Sequence, residues 1–301
     1  MNATPFLKWA GGKRQLLAQI DTALPPRLKQ GRLGKYAEPF VGSGALFFHV
    51  VQRYPIAEIY LADINPELML VYRTLQRDVT AVIAHLSDLE AAYLPCSPVQ
   101  RRAFYYAQRD QFNANLATID FDAFSAAWVQ RTAQFIFLNR TGYNGLFRVN
   151  SRGRFNVPFG RYLNPTLCNA ANLRAAAALL QGVRLAAGKF TRCADFVDDQ
   201  TFVYFDPPYR PLSPTANFAA YARQPFDDAQ QLALADFYRR LDRRGAVLML
   251  SNADPHNVNP HDDFFERAYA GFRITRVQAR RAINSQAGKR GPISELLIMN
   301  Y

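Results

Sequence analysis

An apolar run, FVYF, stops at residue 205 and is followed at once by Asp206-Pro207-Pro208-Tyr209. An exocyclic amino nitrogen on a planar base is a poor nucleophile, because its lone pair is delocalised into the ring. Acceptors that take its hydrogens favour a more pyramidal nitrogen, whose lone pair can then meet an electrophile. The Asp206 carboxylate and the Pro207 carbonyl could each take one such hydrogen. Pro207 and Pro208 would hold both acceptors at little entropic cost, and Tyr209 offers a face on which a base can stack. Taken alone, the quartet is equally a strand closed by a Pro-Pro turn. Its placement at the carboxyl edge of a parallel sheet, beside a nucleoside pocket, is what favours chemistry.

That pocket is read from two other stretches. EPFVGSGA (38–45) runs from a strand into a glycine turn and a helix, where the backbone can approach a ligand and the helix start favours an anionic group. Asp63, 21 residues beyond Gly42, closes the next strand, where a carboxylate can accept both hydroxyls of a ribose. KWAGGK (8–13) imitates a P-loop, but Leu7 and Arg14 break G-x-x-x-x-G-K-[ST] at both ends, which removes nucleotide hydrolysis. What is left is a Gly-Gly turn opening a helix, with Lys13 placed to meet a carboxylate and Trp9 available to pack on a neighbouring group.

The elements that must position these residues alternate between strand and helix. KYAEPFVGSG (35–44), a strand running into a glycine-rich turn, EIYLADIN (58–65), FVYFDPPY and GAVLMLSN (245–252) read as short apolar strands with helices between them, the pattern of a parallel sheet in an α/β protein. FRITRVQARRAI and SELLIMNY resemble a closing antiparallel pair joined by the basic loop NSQAGKRGPI. The long interval between the second and third of these strands predicts an inserted domain. It holds helices over 99–113 and 121–140, and over 141–162 a turn and a hairpin closed at Ser151-Arg152-Gly153. RAAAALL (174–180) reads as an Ala-rich helix.

Charge points to a polyanion. The chain carries 36 Lys+Arg against 24 Asp+Glu, a net charge of +12. Residues 100–165 hold nine Arg and three Asp, residues 273–291 hold six Lys/Arg and no acid, and the remainder is neutral at 21 against 21. A neutral body with two basic segments fits nucleic acid. Cys96, Cys168 and Cys193 are odd in number and widely spaced, and the four histidines lack ligand spacing, so neither a disulfide framework nor a metal is expected. No secretory signal and no membrane-spanning run is evident, so a cytoplasmic protein, with no membrane partner, is the expectation.

In this order, FLKWAGGK, EPFVGSG, LADIN, NRTGYNGLFRVNSRGRFNVPFGRY, DPPY and RRAINSQAGKRGPISELL resemble the Dam-type DNA adenine-N6 methyltransferases (D12 class, group alpha, GATC-reading) over nearly the whole chain. The resemblance implies a Rossmann-like, S-adenosylmethionine-dependent methyltransferase sheet with an inserted, mostly helical target-recognition domain carrying a β-hairpin. Residues 1–68 and 170–301 would form the catalytic domain and 69–169 the insert. S-adenosylmethionine would be the methyl donor, S-adenosylhomocysteine the product and double-stranded DNA the partner of a monomer without a metal. Trp9 and Lys13 would contact the donor, Asp63 its ribose, and Glu38, Phe40, Gly42 and Gly44 would shape the pocket. Asp195 and Phe196 would receive its adenine, and Asp206, with Pro207, Pro208 and Tyr209, would lie between donor and target amine. Lys8, Arg109, Tyr143, Asn144, Leu146, Arg148 and Pro158 match the positions that meet DNA. Arg is the commonest bidentate reader of guanine, Asn pairs with adenine, and Leu or Pro can touch a thymine methyl. Two rivals share parts of the pattern. A methyltransferase acting on RNA or a protein amide would not need this insert, and a silent DNA-binding regulator would have no use for Asp206 and Lys13.

Overall fold

The computed structural model describes residues 2–9, 11–210, 226–280 and 292–301. The basic loop at 284–291 and residues 281–283, the end of the expected strand FRITRVQARRAI, lie outside them. Seven strands form one sheet: β1 (Lys35–Glu38), β2 (Glu58–Asp63), β3 (Arg184–Ala187), β4 (Thr201–Phe205), β5 (Val247–Ala253), β6 (Arg273–Arg280) and β7 (Pro292–Met299). Their order is β3-β2-β1-β4-β5-β7-β6. β3, β2, β1, β4 and β5 pair in parallel, whereas β7 is antiparallel to both β5 and β6. Strand order reverses next to β1, and the crevice at such a switch point, at the carboxyl ends of the strands, is where open α/β sheets bind ligands.

The helices among the described residues are α1 (Leu17–Ala23), α2 (Pro26–Lys29), α3 (Ala45–Val51), α4 (Pro66–Tyr93), α5 (Pro98–Ala114), α6 (Ala126–Thr141), α7 (Ala170–Leu180), α8 (Asp228–Asp242) and α9 (Phe264–Ala268). Their starts follow from the sequence. Asn65 caps α4 by accepting from Glu67 N at 3.0 Å, with Pro66 in the first turn, where its missing N–H is harmless. Ser97 and Gln100 form a reciprocal capping box on α5, and Asp227 caps α8 through Gln230 N at 3.0 Å. Gly245, at φ 83°, sits just beyond the end of α8, a conformation that suits glycine.

Strand alternation divides the core between the two faces of the sheet. Tyr36, Phe202, Tyr204, Met249 and Leu297 face one way, and Ala37, Val203, Phe205, Leu248, Leu250 and Leu296 face the other. The first face shares one continuous apolar cluster with Tyr93, Tyr105, Phe112 and Phe137 of α4, α5 and α6. The expected boundary at 68/69 falls within the first turn of α4, which runs on to an interruption at Asp78 (φ −150°, ψ 69°).

Three local expectations differ from the structure. β3 was not anticipated: its RLAA is short and only partly buried, with the polar, small composition of an edge strand. α6 begins at Ala126 rather than at 121, with Ser125 before it in extended conformation. The 141–162 hairpin is not a regular ladder among the described residues. Isolated bridges join Gly142 to Phe159 and Val149 to Phe155, and the turn closes through Asn150 N to Arg154 O at 2.9 Å.

Candidate active site

Glu38, Asp63 and Phe205 end β1, β2 and β4 at one edge of the sheet, and Asp206 follows directly. β7 runs the opposite way and brings Glu295 to the same edge, paired with Ala253 at the end of β5. Four carboxylates therefore gather along this edge, and the buried ammonium of Lys13, which is 4 % exposed, lies beside two of them. Lys13 Nζ lies 2.8 Å from Asp206 Oδ1, 2.8 Å from Gly11 O and 4.0 Å from Glu295 Oε2. It also sits 4.5 Å from the centre of the Tyr209 ring.

Ser251 Oγ donates to the same Asp206 Oδ1 at 3.0 Å and exchanges a 2.8 Å bond with Tyr204 OH. Oδ2 has no partner among the described residues, and the Asp206 side chain keeps 20 % of its surface exposed. An N–H donor can therefore reach it. The turn is pinned on both sides. Gln231 Nε2 donates to Pro208 O at 3.0 Å, and Arg210 N to Asn252 Oδ1 at 3.2 Å. The Arg210 guanidinium forks onto Asp228 at 2.7 and 3.0 Å and reaches Asp262 at 2.6 Å. Pro207 is buried, Pro208 is exposed and Tyr209 is half-buried.

The glycine turn is shaped by close packing. At Gly42, φ 48°, a Cβ would stand 2.9 Å from Trp9 Cδ1, and at Gly44, φ 69°, it would meet Tyr72 OH at 2.8 Å. Gly42 N donates to Asp63 Oδ2 at 3.1 Å, and Asn65 N to Asp63 Oδ1 at 3.0 Å. Tyr36 OH donates to the buried Glu38 Oε2 at 2.7 Å. Phe40 packs on Phe190, ring centres 5.5 Å apart at 28°, and edge-on to Phe226. Trp9 lies between the pocket and α6, nearly parallel to Phe135 and Phe147 at 6.5 and 6.2 Å.

Asp195 and Phe196 are not brought to this group. After β3 the chain runs back across the sheet, and Phe196 packs 5.6 Å from Tyr60, with Lys35 and Arg184 over its ring at 5.3 and 5.5 Å. Lys35 and Arg184 open β1 and β3, at the far end from Asp63, and Asp195 is exposed there. The aromatic residue that does stand at the cleft is Phe190, six residues earlier. Its signal was the phenylalanine just past the end of β3, in GKF. Glu295 was also missed, since in SELLIMNY it reads as an ordinary strand position.

The anticipated DNA-facing residues gather on one side of the helical segment. Tyr143 is 53 % exposed, Asn144 is exposed in a left-handed turn (φ 53°), and Arg148 and Pro158 are exposed on the hairpin. Tyr143 N donates to Pro158 O at 2.8 Å. Leu146 is half-buried, and Arg148 is oriented by Asn156 Oδ1 at 2.8 Å. Arg109, over the Tyr106 ring at 4.6 Å, stands one turn along α5 from Tyr105, whose hydroxyl donates to Val157 O at 2.9 Å. Lys8 packs against Gly145, with its ammonium 3.9 Å from the Tyr162 ring centre. The buried Asn139 amide fastens this junction, accepting from Lys8 N and donating to Lys8 O and Gly145 O, each at 2.8 Å.

Burial raises all four edge acids above their ordinary values. Glu38 is pushed from 4.5 up to about 8, Asp63 from 3.8 to about 6, and Asp206 and Glu295 rise as well, although Lys13 pulls both down. A carboxyl that binds its proton more tightly when folded stabilises the fold fully below its unfolded value, and that contribution is lost as pH rises through its folded value. For Glu38 the loss runs from about pH 4.5 to about 8. Thermal stability should therefore decline across that window. The decline should be shallower in Glu38→Gln, which can still accept from Tyr36, by on the order of a few kcal/mol. Identical slopes in the two proteins would exclude Glu38 as the source.

A sheet in this order with only β7 reversed, and a glycine turn and acids at its switch point, defines the fold of S-adenosylmethionine-dependent methyltransferases. Residues 9–283 match the family described as D12 class N6 adenine-specific DNA methyltransferase. The chain is 48 % identical over 302 residues to the type II methyltransferase M.MjaIII of Methanocaldococcus jannaschii, covering 100 % of both. It is 35 % identical over 300 residues to the DNA adenine methylase of Escherichia coli K12, covering 98 % of this chain and 94 % of that one. With M1.LlaDCHI of Lactococcus lactis subsp. cremoris it shares 32 % over 303 residues, 100 % of this chain and 96 % of that protein. The chain belongs to the D12 class of N6 adenine-specific DNA methyltransferases. Membership implies S-adenosylmethionine as donor and DNA as substrate. No helix among the described residues is long and apolar enough to cross a membrane.

Proposed function

We propose that this enzyme methylates N6 of adenine within GATC in double-stranded DNA, on a base rotated out of the helix, by direct in-line transfer. The observation that carries the chemistry is the Asp206 carboxylate, locked through Oδ1 by Lys13 and Ser251, with Oδ2 left to accept.

The residues present fit the donor. Glu38, Asp63 and Asp206 stand at the ends of β1, β2 and β4 along one edge, an acid-rich rim suited to a ligand bearing positive sulfonium and amino groups. Gly42 and Gly44 let the turn pack closely on Trp9 and Tyr72, and the Asp63 carboxylate, which accepts from Gly42 N and Asn65 N, keeps lone pairs that ribose hydroxyls could use. The stacked pair Phe40 and Phe190 would offer the adenine of the donor an aromatic wall, in place of Asp195 and Phe196. When bound, S-adenosylmethionine supplies an electrophilic methyl group on sulfur.

The chain's own residues do the rest. Asp206 Oδ2 and the Pro207 carbonyl accept hydrogen bonds from the two N6 hydrogens, which raises the nucleophilicity of the amine, and one of these protons leaves once N6 has taken the methyl group. Tyr209 stacks on the base, opposite the face that Lys13 covers. Extruding the base costs a few kcal/mol, which these contacts offset. Fixed placement supplies much of the rate, since effective molarities of ~10⁵–10⁸ M are known for well-oriented groups.

Site choice is assigned to Lys8, Arg109, Tyr143, Asn144, Leu146, Arg148 and Pro158, and what supports this is their placement around one hairpin, on which Tyr143, Asn144, Arg148 and Pro158 are exposed. Arg148→Ala should lower discrimination between GATC and single-base variants by about 1–3 kcal/mol, measured as the ratio of kcat/KM values. Unchanged ratios would remove Arg148 from recognition. The full reading is tested by incubating unmethylated plasmid with enzyme and donor, then challenging it with a nuclease that N6-methylated GATC blocks. Resistance is expected. Full cleavage despite incorporated methyl would mean a different site, and no incorporation a silent binder.

A further inference from the structure

We propose that Glu295 is a positioning residue for the methyl transfer: by accepting the Tyr209 hydroxyl it fixes the ring on which the extruded adenine stacks. The inference rests on the stacking role given above to Tyr209. Glu295 Oε2 accepts from Tyr209 OH at 2.5 Å, and the Lys13 ammonium lies 4.0 Å from the same oxygen and 4.5 Å from the ring centre. One carboxylate thus holds the phenol end of the ring, while the ammonium it faces lies against the ring. The backbone confirms a built arrangement rather than a chance contact. Glu295 is paired on both sides, with Ala253 of β5 and Val277 of β6, so its Cα cannot drift.

Tyr209, by contrast, is the last ring of a turn and is only half-buried. Its backbone is fixed by the prolines before it and by Arg210 after it, but these leave its side-chain torsions free. Among the described residues, the bond to Glu295 is the one hydrogen bond that fixes the hydroxyl, and hence the ring plane. A stacking platform needs that plane held, because misplacement of a reacting group lowers rate more than binding. Glu295 therefore acts on the reaction through Tyr209.

The test is a cycle of Glu295→Ala, Glu295→Gln, Tyr209→Phe and the double variant Tyr209→Phe/Glu295→Ala. Each is assayed for kcat, for KM, and for fluorescence of DNA carrying 2-aminopurine at the target adenine. Hydrogen bonds to charged groups place the expected loss in kcat for Glu295→Ala at about 10- to 100-fold, with KM for DNA little changed and a weaker 2-aminopurine signal. Glu295→Gln keeps an acceptor and the volume, so it should retain most activity. Tyr209→Phe should lose about as much as Glu295→Ala, and the double variant no more than the worse single change. Losses that multiply in the double variant, or Glu295→Gln falling as far as Glu295→Ala, would overturn the proposal. If instead the parent enzyme gives no 2-aminopurine signal, it is the base-extrusion reading that fails, and the activity cycle still decides whether Glu295 works through Tyr209.

Discussion

Asp206→Asn should leave a folded protein that binds DNA and transfers methyl groups on the order of 10²–10⁴-fold more slowly. The geometry says why the amide is so poor a substitute. Lys13 and Ser251 both address Oδ1, at 2.8 and 3.0 Å, so the amide oxygen must turn towards these two donors. Its NH₂ then occupies the place of Oδ2 and presents hydrogens to the hydrogens of the target amine. An acceptor is replaced by a donor while shape and packing are kept. Asp206→Ala is a blunter probe, since it strands a buried ammonium whose next carboxylate is 4.0 Å away. Single-turnover methyl transfer by Asp206→Asn within tenfold of the parent rate, with normal thermal stability, would refute the acceptor role.

The largest change in stability is expected from Arg131→Ala. Arg131 is 3 % exposed and forks onto Glu67, with Nε 2.7 Å from Oε2 and Nη2 on Oε1, while Nη1 donates to Phe112 O at 2.9 Å. It also lies 3.9 Å from the Phe112 ring centre. One side chain therefore joins α4, α5 and α6. Removing one member of a buried pair leaves the other charge uncompensated, at about 3–5 kcal/mol. The melting temperature should fall by roughly 10 °C, taking about 2–4 °C per kcal/mol for a large domain. Replacing both partners by Met should recover most of the loss, because the cost lies in the unpaired charge. A single variant melting within 2 °C of the parent, an interval set by that scaling, would show that water reaches Glu67.

Much of this was legible along the chain, for reasons that differ from residue to residue. Lys35–Glu38, Glu58–Asp63, Thr201–Phe205 and Val247–Ala253 are short and apolar and end in turn residues, so they read directly as parallel strands. The positions of Asp63 and Asp206 at one edge of the sheet were legible because each closes an apolar run. β3 was not, because an edge strand buried on one side lacks that signature. Asp195-Phe196 and Phe190 show the limit of a two-residue match. Both are a phenylalanine after β3, and only the path of the chain decides which one reaches the cleft. Glu295 was invisible for a stronger reason: its partner Tyr209 is 86 residues away, and nothing local in SELL marks the residue. The 141–162 hairpin was legible as a turn but not as an irregular one, because Phe147, Phe155 and Val157 are buried for packing and not for a ladder.

Given the recognition role proposed above for the hairpin, the aromatic continuity from Trp9 through Phe135 to Phe147 bears on how this enzyme could acquire a new sequence preference. Trp9 borders the glycine turn at Gly42, and Phe147 sits between Leu146 and Arg148. A chimera made by exchanging residues 69–169 wholesale would cut through that row of rings and through the Asn139 clasp on Lys8. Its expected fate is a poorly packed hybrid. Diversification along this scaffold is better served by exchanging single exposed side chains on the hairpin, which leave the rings beneath them in place.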